Sequence, residues 1–253
     1  MPDRFVAGRS FALDNPRIRP LPWGIRPTIL ATFATVAIAL PASAATITWQ
    51  TPQDIAGESD VYNLGLVVTA VNGGSADNAD PVVVGGVSFL WDDGSVLTNG
   101  AKYPQYDFAP DPTDPNVSDA YDTLLSSTRS YGNSISLLNL QSGTEYAVQI
   151  WVNDSRSDST AARQTSFTAG NTSALVQASR DDKQYHLGQY VIGTFTADAA
   201  TQAITYEGYD GNGNQLNDAR YVNALLVTTV PEPGSAGLLG FLLLSAAFLR
   251  RRR

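Results

Sequence analysis

Carboxylates and carboxamides carry most of the polar chemistry of this chain. Its 253 residues include 24 Asp or Glu, a single histidine, His186, and no cysteine. The missing cysteine excludes disulfides, thiolate metal sites, cysteine nucleophiles and a lipoprotein anchor together. A Ser-His-Asp triad would need His186, yet no Gly-x-Ser-x-Gly turn marks a nucleophile, and one histidine without cysteine is poor material for zinc. Two carboxylates on either side of a glycosidic bond remain chemically open, but spacing singles out no pair. The densest group of hard oxygen donors is "DGNGNQLND". There Asp210, Asn212, Asn214 and Asp218 alternate around glycines, as a calcium loop would require. Asn-Gly and Asp-Gly also make tight turns without any ion, so both readings stand. Asp111, Asp114 and Asp119 in "PDPTDPNVSD" form a second, similar set.

A sugar platform needs an aromatic ring beside polar side chains. In "EYAVQIWVNDSR" the period of two places Tyr146, Val148, Ile150 and Val152 on one strand face and Gln149, Trp151 and Asn153 on the other. If the first face is core, Trp151 with its flanking amides becomes a carbohydrate surface. If the second is covered too, Trp151 is core. Trp91-Asp92-Asp93-Gly94 reads as a turn with an exposed ring, and Asp154 is placed to pair with Arg156.

The elements that would position these groups are mostly strands. Runs rich in Val, Ile, Thr and aromatics recur between Gly, Asn, Asp and Pro clusters. They predict strands over 46–50, 64–71, 82–90, 134–140, 146–152, 190–196, 202–206 and 221–230. "LGLVVTAV" and "NALLVTTV" are apolar on both faces, the pattern of a sheet covered from two sides. The expected fold is all-β, an antiparallel β-sandwich of jelly-roll type with one short helix. That helix is "SDAYDTLLSST". Ser118 is its N-cap, Asp119 and Asp122 lie in the first turn, and Tyr121, Leu124 and Leu125 share a face that braces the sandwich. No repeat or linker divides residues 45–230, so one domain is expected there.

The two ends read differently. Arg4, Arg9, Arg17, Arg19 and Arg26 precede an apolar run over 29–40, then Pro41 and a small-x-small site at Ala42-Ser43-Ala44. This predicts a signal peptide over 1–44 and export through the translocon. Residues 234–249 are sixteen uncharged, largely apolar residues followed by Arg250, Arg251, Arg252 and Arg253. A helix there is about 24 Å long, short of the ~30 Å hydrocarbon core but able to span it if the arginines snorkel. The arginines would stay cytoplasmic and leave the domain outside.

Pro231-Glu232-Pro233, the short apolar segment and the arginine cluster resemble the PEP-CTERM sorting signal of Gram-negative bacteria. That resemblance covers residues 231–253. It implies recognition by an exosortase, cleavage near the Pro-Glu-Pro motif, and a final place at the cell surface or in the extracellular matrix. A permanent transmembrane anchor is the simpler alternative. Separately, "VVVGGVSF", "LNLQSGTEYAVQIWVNDSR", "GQYVIGTFTADAATQAITY" and "LNDARYVNALLV" resemble a lectin-like, galactose-binding-type β-sandwich of bacterial surface proteins.

Charge narrows the partners. Residues 45–230 hold seven basic and twenty-one acidic side chains, a formal charge of −14 against −8 for the whole chain. Such a domain repels nucleic acid. Extracellular polysaccharide is the expected partner, bound without catalysis and without a cofactor other than a candidate structural calcium. A glycan-active enzyme using paired carboxylates and a purely structural surface protein without a ligand are the alternatives.

Overall fold

The computed structural model describes residues 45–74, 80–103, 117–154, 163–179 and 186–231. The predicted signal peptide and the segment 232–253 lie outside them, and among the described residues no helix is long and apolar enough to cross a membrane. The described chain is mostly β, with antiparallel-rich sheets and one α-helix.

Its strands are β1 (Thr48–Trp49), β2 (Gln53–Asp54), β3 (Val67–Asn72), β4 (Val82–Val84), β5 (Val87–Trp91), β6 (Leu97–Thr98), β7 (Ala101–Tyr103), β8 (Thr128–Ser130), β9 (Ser134–Leu137) and β10 (Glu145–Val152). After them come β11 (Gln164–Ala169), β12 (Thr172–Gln177), β13 (Gln189–Thr196), β14 (Gln202–Tyr209), β15 (Tyr221–Val222) and β16 (Ala224–Thr229), with α1 (Asp119–Leu125) between β7 and β8. The larger sheet runs β1-β13-β10-β16-β3-β5-β4, with β2 also on β13; the second runs β12-β11-β14-β9-β6. A small third sheet, β15-β8-β7, closes one end. The β3–β5 pair is parallel, and every other pairing is antiparallel.

Alternation along the strands builds the core. Tyr146, Val148, Ile150 and Val152 of β10 point between the two large sheets, where they meet Phe167, Val176, Ile204 and Tyr206. The opposite face of the larger sheet carries Ala70, Trp151, Ala224 and Leu226, and it is buried as well. Tyr121, Leu124 and Leu125 of α1, Val82, Val84, Val87 and Phe89 of the β4–β5 hairpin, and Ile55 and Val61 before β3 cover it. The apolar-on-both-faces strands are thus accounted for: one sheet, two cores.

α1 forms as its local sequence dictates. Ser118 caps it by accepting the Tyr121 backbone N–H at 3.2 Å, and Asp119 and Asp122 occupy the first turn. Elsewhere tertiary structure redrew the predicted boundaries. The strand expected over 82–90 is a hairpin, because Gly85 and Gly86 take φ of 56° and 80° and reverse the chain. The strand expected over 221–230 divides at Asn223 into β15 and β16, which belong to different sheets. β11 and β12 went unpredicted: their inward residues include Thr165, Ala169 and Ala174, too small or polar to register as an apolar stripe.

Candidate functional site

The Gln149, Trp151 and Asn153 face does not reach solvent. Gln149 is 1% exposed, and Trp151 and Asn153 are 0%. Gln149 Oε1 accepts the Tyr62 N–H at 2.8 Å, and its Nε2 donates to the Asp60 carbonyl at 2.7 Å. Asn153 donates to the Leu125 carbonyl and accepts from Gly188 N–H. Trp151 packs edge-on against Phe89 and donates from Nε1 to Tyr121 Oη at 2.8 Å. The exposed platform is therefore corrected to a second core, since α1 and the β4–β5 hairpin cover the face that alternation had turned outward.

The calcium-loop residues are also committed elsewhere. Asp210 accepts the backbone N–H of Asn212 and Asn214 on Oδ1 and the Asn214 side-chain amide on Oδ2. These bonds hold its pKa below the ordinary carboxylate value. Asp218 accepts from Arg163 at 2.9 Å. Asp210 and Asn214 thus make a hydrogen-bonded turn, and Asp218 an ion pair. Among the described residues no three His, Cys, Asp or Glu side chains gather as a metal site. Asp111, Asp114 and Arg156 lie outside the described residues. Asp154 is buried and pairs with Arg163 at 3.7 Å. His186 lies partly buried before β13, where its carbonyl accepts from Ser179 Oγ. Trp91 is half-buried and donates to the Asp80 carbonyl, so the turn at 91–94 presents no free ring.

A different constellation forms where the small third sheet meets the second. Tyr131, directly after β8, is 48% exposed and held at φ 62°. A bulky side chain in that left-handed region is costly, by roughly 1–2 kcal/mol, and strain of this kind concentrates at functional positions. Tyr103 at the end of β7 faces it, ring centroids 6.3 Å apart. Asn99, also at φ 62°, reaches Asn133 through its side-chain amide at 3.5 Å. Arg220 precedes Tyr221, whose partner across β15 and β8 is Ser130, the residue before Tyr131. Three stretches of chain, 99–103, 131–133 and the residue before β15, so come to one corner.

Its floor is polar and closely packed. Gly132 lies so near Tyr206 that a Cβ there would fall 2.0 Å from the phenol oxygen. That hydroxyl is buried without a partner, as are the Nε atoms of Arg129 and Arg220. Burial pushes the Tyr206 hydroxyl far above its ordinary pKa, while the Arg129 and Arg220 charges pull it back. Arg129 is anchored by Asp92, whose carboxylate also accepts Val96 and Leu97 N–H at 3.1 and 3.3 Å. Arg220 differs: among the described residues it has no acidic partner. The corner thus presents a half-exposed phenol pair, two carboxamides and an unpaired guanidinium. Those groups can stack on an apolar ring face and donate to hydroxyl or carboxylate oxygens; they include no nucleophile with a base beside it. Elsewhere a concavity of about 380 Å³ is lined by Ala45, Thr46, Thr48, Glu145, Thr194, Phe195 and Thr196. It is rich in hydroxyls, but its one aromatic, Phe195, is buried.

Sequence reasoning missed this corner. The only local trace is "RSYGNS", where Tyr-Gly-Asn follows a short strand as a turn would.

No family model and no curated protein matches the chain. Among solved structures, a calcium-binding mutant of Bacteroides uniformis beta-glucuronidase 2 matches 64% of this chain at 12% identity and a TM-score of 0.43. The same enzyme covalently bound to cyclophellitol-6-carboxylate aziridine matches at 10% identity and a TM-score of 0.40. In both, the matched region spans 18% of the enzyme's own length.

Proposed function

We propose that this chain is an exported, exosortase-sorted surface or matrix protein whose domain binds extracellular carbohydrate and performs no chemistry of its own. The signal peptide over 1–44 delivers it to the translocon. The segment 234–249 holds it briefly in the inner membrane with the domain outside, until cleavage near Pro231-Glu232-Pro233 releases it. The domain is of jelly-roll type, a reading supported by strand order β3-β16-β10-β13 facing β9-β14-β11-β12, with the chain crossing repeatedly between the two sheets.

One observation carries the binding reading: Tyr131 stays half-exposed at φ 62° against Tyr103, next to the Ser130–Tyr221 pair that Arg220 adjoins. The left-handed backbone at Tyr131 costs the fold roughly 1–2 kcal/mol, and a sugar would draw on the exposed ring that it holds out. The phenol rings take its C–H face, and Asn99, Asn133 and Arg220 take its oxygens. Catalysis finds less support. Among the described residues the buried carboxylates, Asp92 and Asp154, are each held by an arginine and so are poorly placed as proton donors.

Titration of the protein with host exopolysaccharide, together with an assay for newly released reducing ends, tests this. Binding without release is expected, and Tyr131→Ala should weaken it at least about tenfold, or 1.4 kcal/mol. Release of reducing ends would replace the reading with a glycan-active enzyme. No binding at all would leave a purely structural protein.

A further inference from the structure

Large apolar side chains exposed singly need no explanation, but three within four residues do. Leu64, Leu66 and Val67 are 68%, 77% and 49% exposed. They sit in residues 61–72, a stretch without any charged side chain. The loop is fixed against one particular place on the fold. Leu66 N–H donates to Thr229 Oγ1 at 3.1 Å, and the Leu66 carbonyl accepts Thr229 N–H at 3.0 Å. Gly65 between the leucines lies so close that a Cβ there would fall 1.6 Å from the Thr229 carbonyl oxygen. Glycine is therefore required, and it presses the loop onto the last residue of β16.

That residue stands two positions before Pro231, and the uncharged segment 234–249 begins three positions after it. From Thr229 to residue 234 the chain is five residues long, and five extended residues reach at most about 18 Å. Wherever residue 234 enters a bilayer, the Thr229 backbone that holds Leu66 must be within about that distance of the entry point, which keeps the loop on the membrane-proximal side of the domain.

We infer that the Leu64–Val67 loop is a membrane-contact surface that rests in the lipid interface beside the anchor and sets the domain's seat before release. The inference depends on the proposed reading of 234–249 as a membrane span. The contact is apolar: a domain of formal charge −14 draws no attraction from anionic lipids, and the loop offers no cation to them.

The absence of cysteine allows a clean test. The full chain is labelled with an environment-sensitive fluorophore at one introduced cysteine and reconstituted into phosphatidylcholine vesicles with or without brominated acyl chains. Leu66→Cys reports the loop, Leu243→Cys the anchor, and Leu175→Cys, 48% exposed on the second sheet, is the control. At least twofold quenching at positions 66 and 243, with none at 175, supports the inference. Quenching at 243 alone overturns it and leaves the span standing. Quenching at neither overturns both. Quenching at 66 alone keeps the lipid contact and overturns the span. A blue-shifted but unquenched probe at 66 means that protein, the tail or a second copy, covers the loop, and overturns the lipid assignment.

Discussion

Trp151 Nε1 donates to Tyr121 Oη at 2.8 Å, and both rings are fully buried, joining the central strand β10 to the helix α1 that covers it. Burial also drives the Tyr121 hydroxyl far above its ordinary pKa, so it remains a neutral partner at any working pH. Tyr121→Phe should strand the indole N–H and cost about 1–3 kcal/mol. Trp151→Ala, which empties a large core volume, should cost about 3–5 kcal/mol. Urea unfolding followed by circular dichroism measures both. A Trp151→Ala protein of unchanged stability would mean that α1 does not cover this face.

Arg129 and Asp92 form a buried ion pair beneath the Tyr131 corner. Removing one partner leaves an uncompensated charge, so Arg129→Ala should cost about 3–5 kcal/mol. Arg129→Ala with Asp92→Asn should recover part of that loss. A double-mutant cycle in denaturant shows the coupling, and simple additivity would argue against the pair.

Tyr131→Gly separates stability from binding. Relief of the left-handed strain, roughly 1–2 kcal/mol, should offset the entropy that glycine adds to the unfolded chain, roughly 0.5–1 kcal/mol. The variant should melt at or slightly above the wild-type temperature and yet lose polysaccharide affinity. Loss of stability like that of a core aromatic would make Tyr131 a packing residue.

Asp122 provides a pH test. Partial burial, then the neighbouring Asp119 charge, raises its pKa above the ordinary carboxylate value of 3.8. A raised folded value means that the protonated form stabilises the fold. That contribution is complete below the unfolded value and is lost as pH rises through the folded one. Asp122→Asn should therefore be more stable than wild type at neutral pH, with the advantage vanishing in acid. A melting-temperature difference that does not change between pH 3 and pH 7 would contradict the shift.

Much of this architecture is local and hence readable along the chain. Ser118 caps α1 through a bond to a backbone group three residues away. Alternation along β10 correctly assigned Tyr146, Val148, Ile150 and Val152 to one side and Gln149, Trp151 and Asn153 to the other. A period of two reports which side a residue faces, not what lies beyond it. Only α1, the β4–β5 hairpin and the 55–61 segment, arriving from elsewhere, decided that Trp151 is core. The Tyr131 corner was the least legible. Asn99, Tyr103, Tyr131, Asn133 and Arg220 carry no shared spacing; pairing of β15 with β8 and of β8 with β7 brings them together. Strand pairing joins residues through backbone hydrogen bonds that any side chain permits, so the sequence bears little trace of which distant residues will become neighbours.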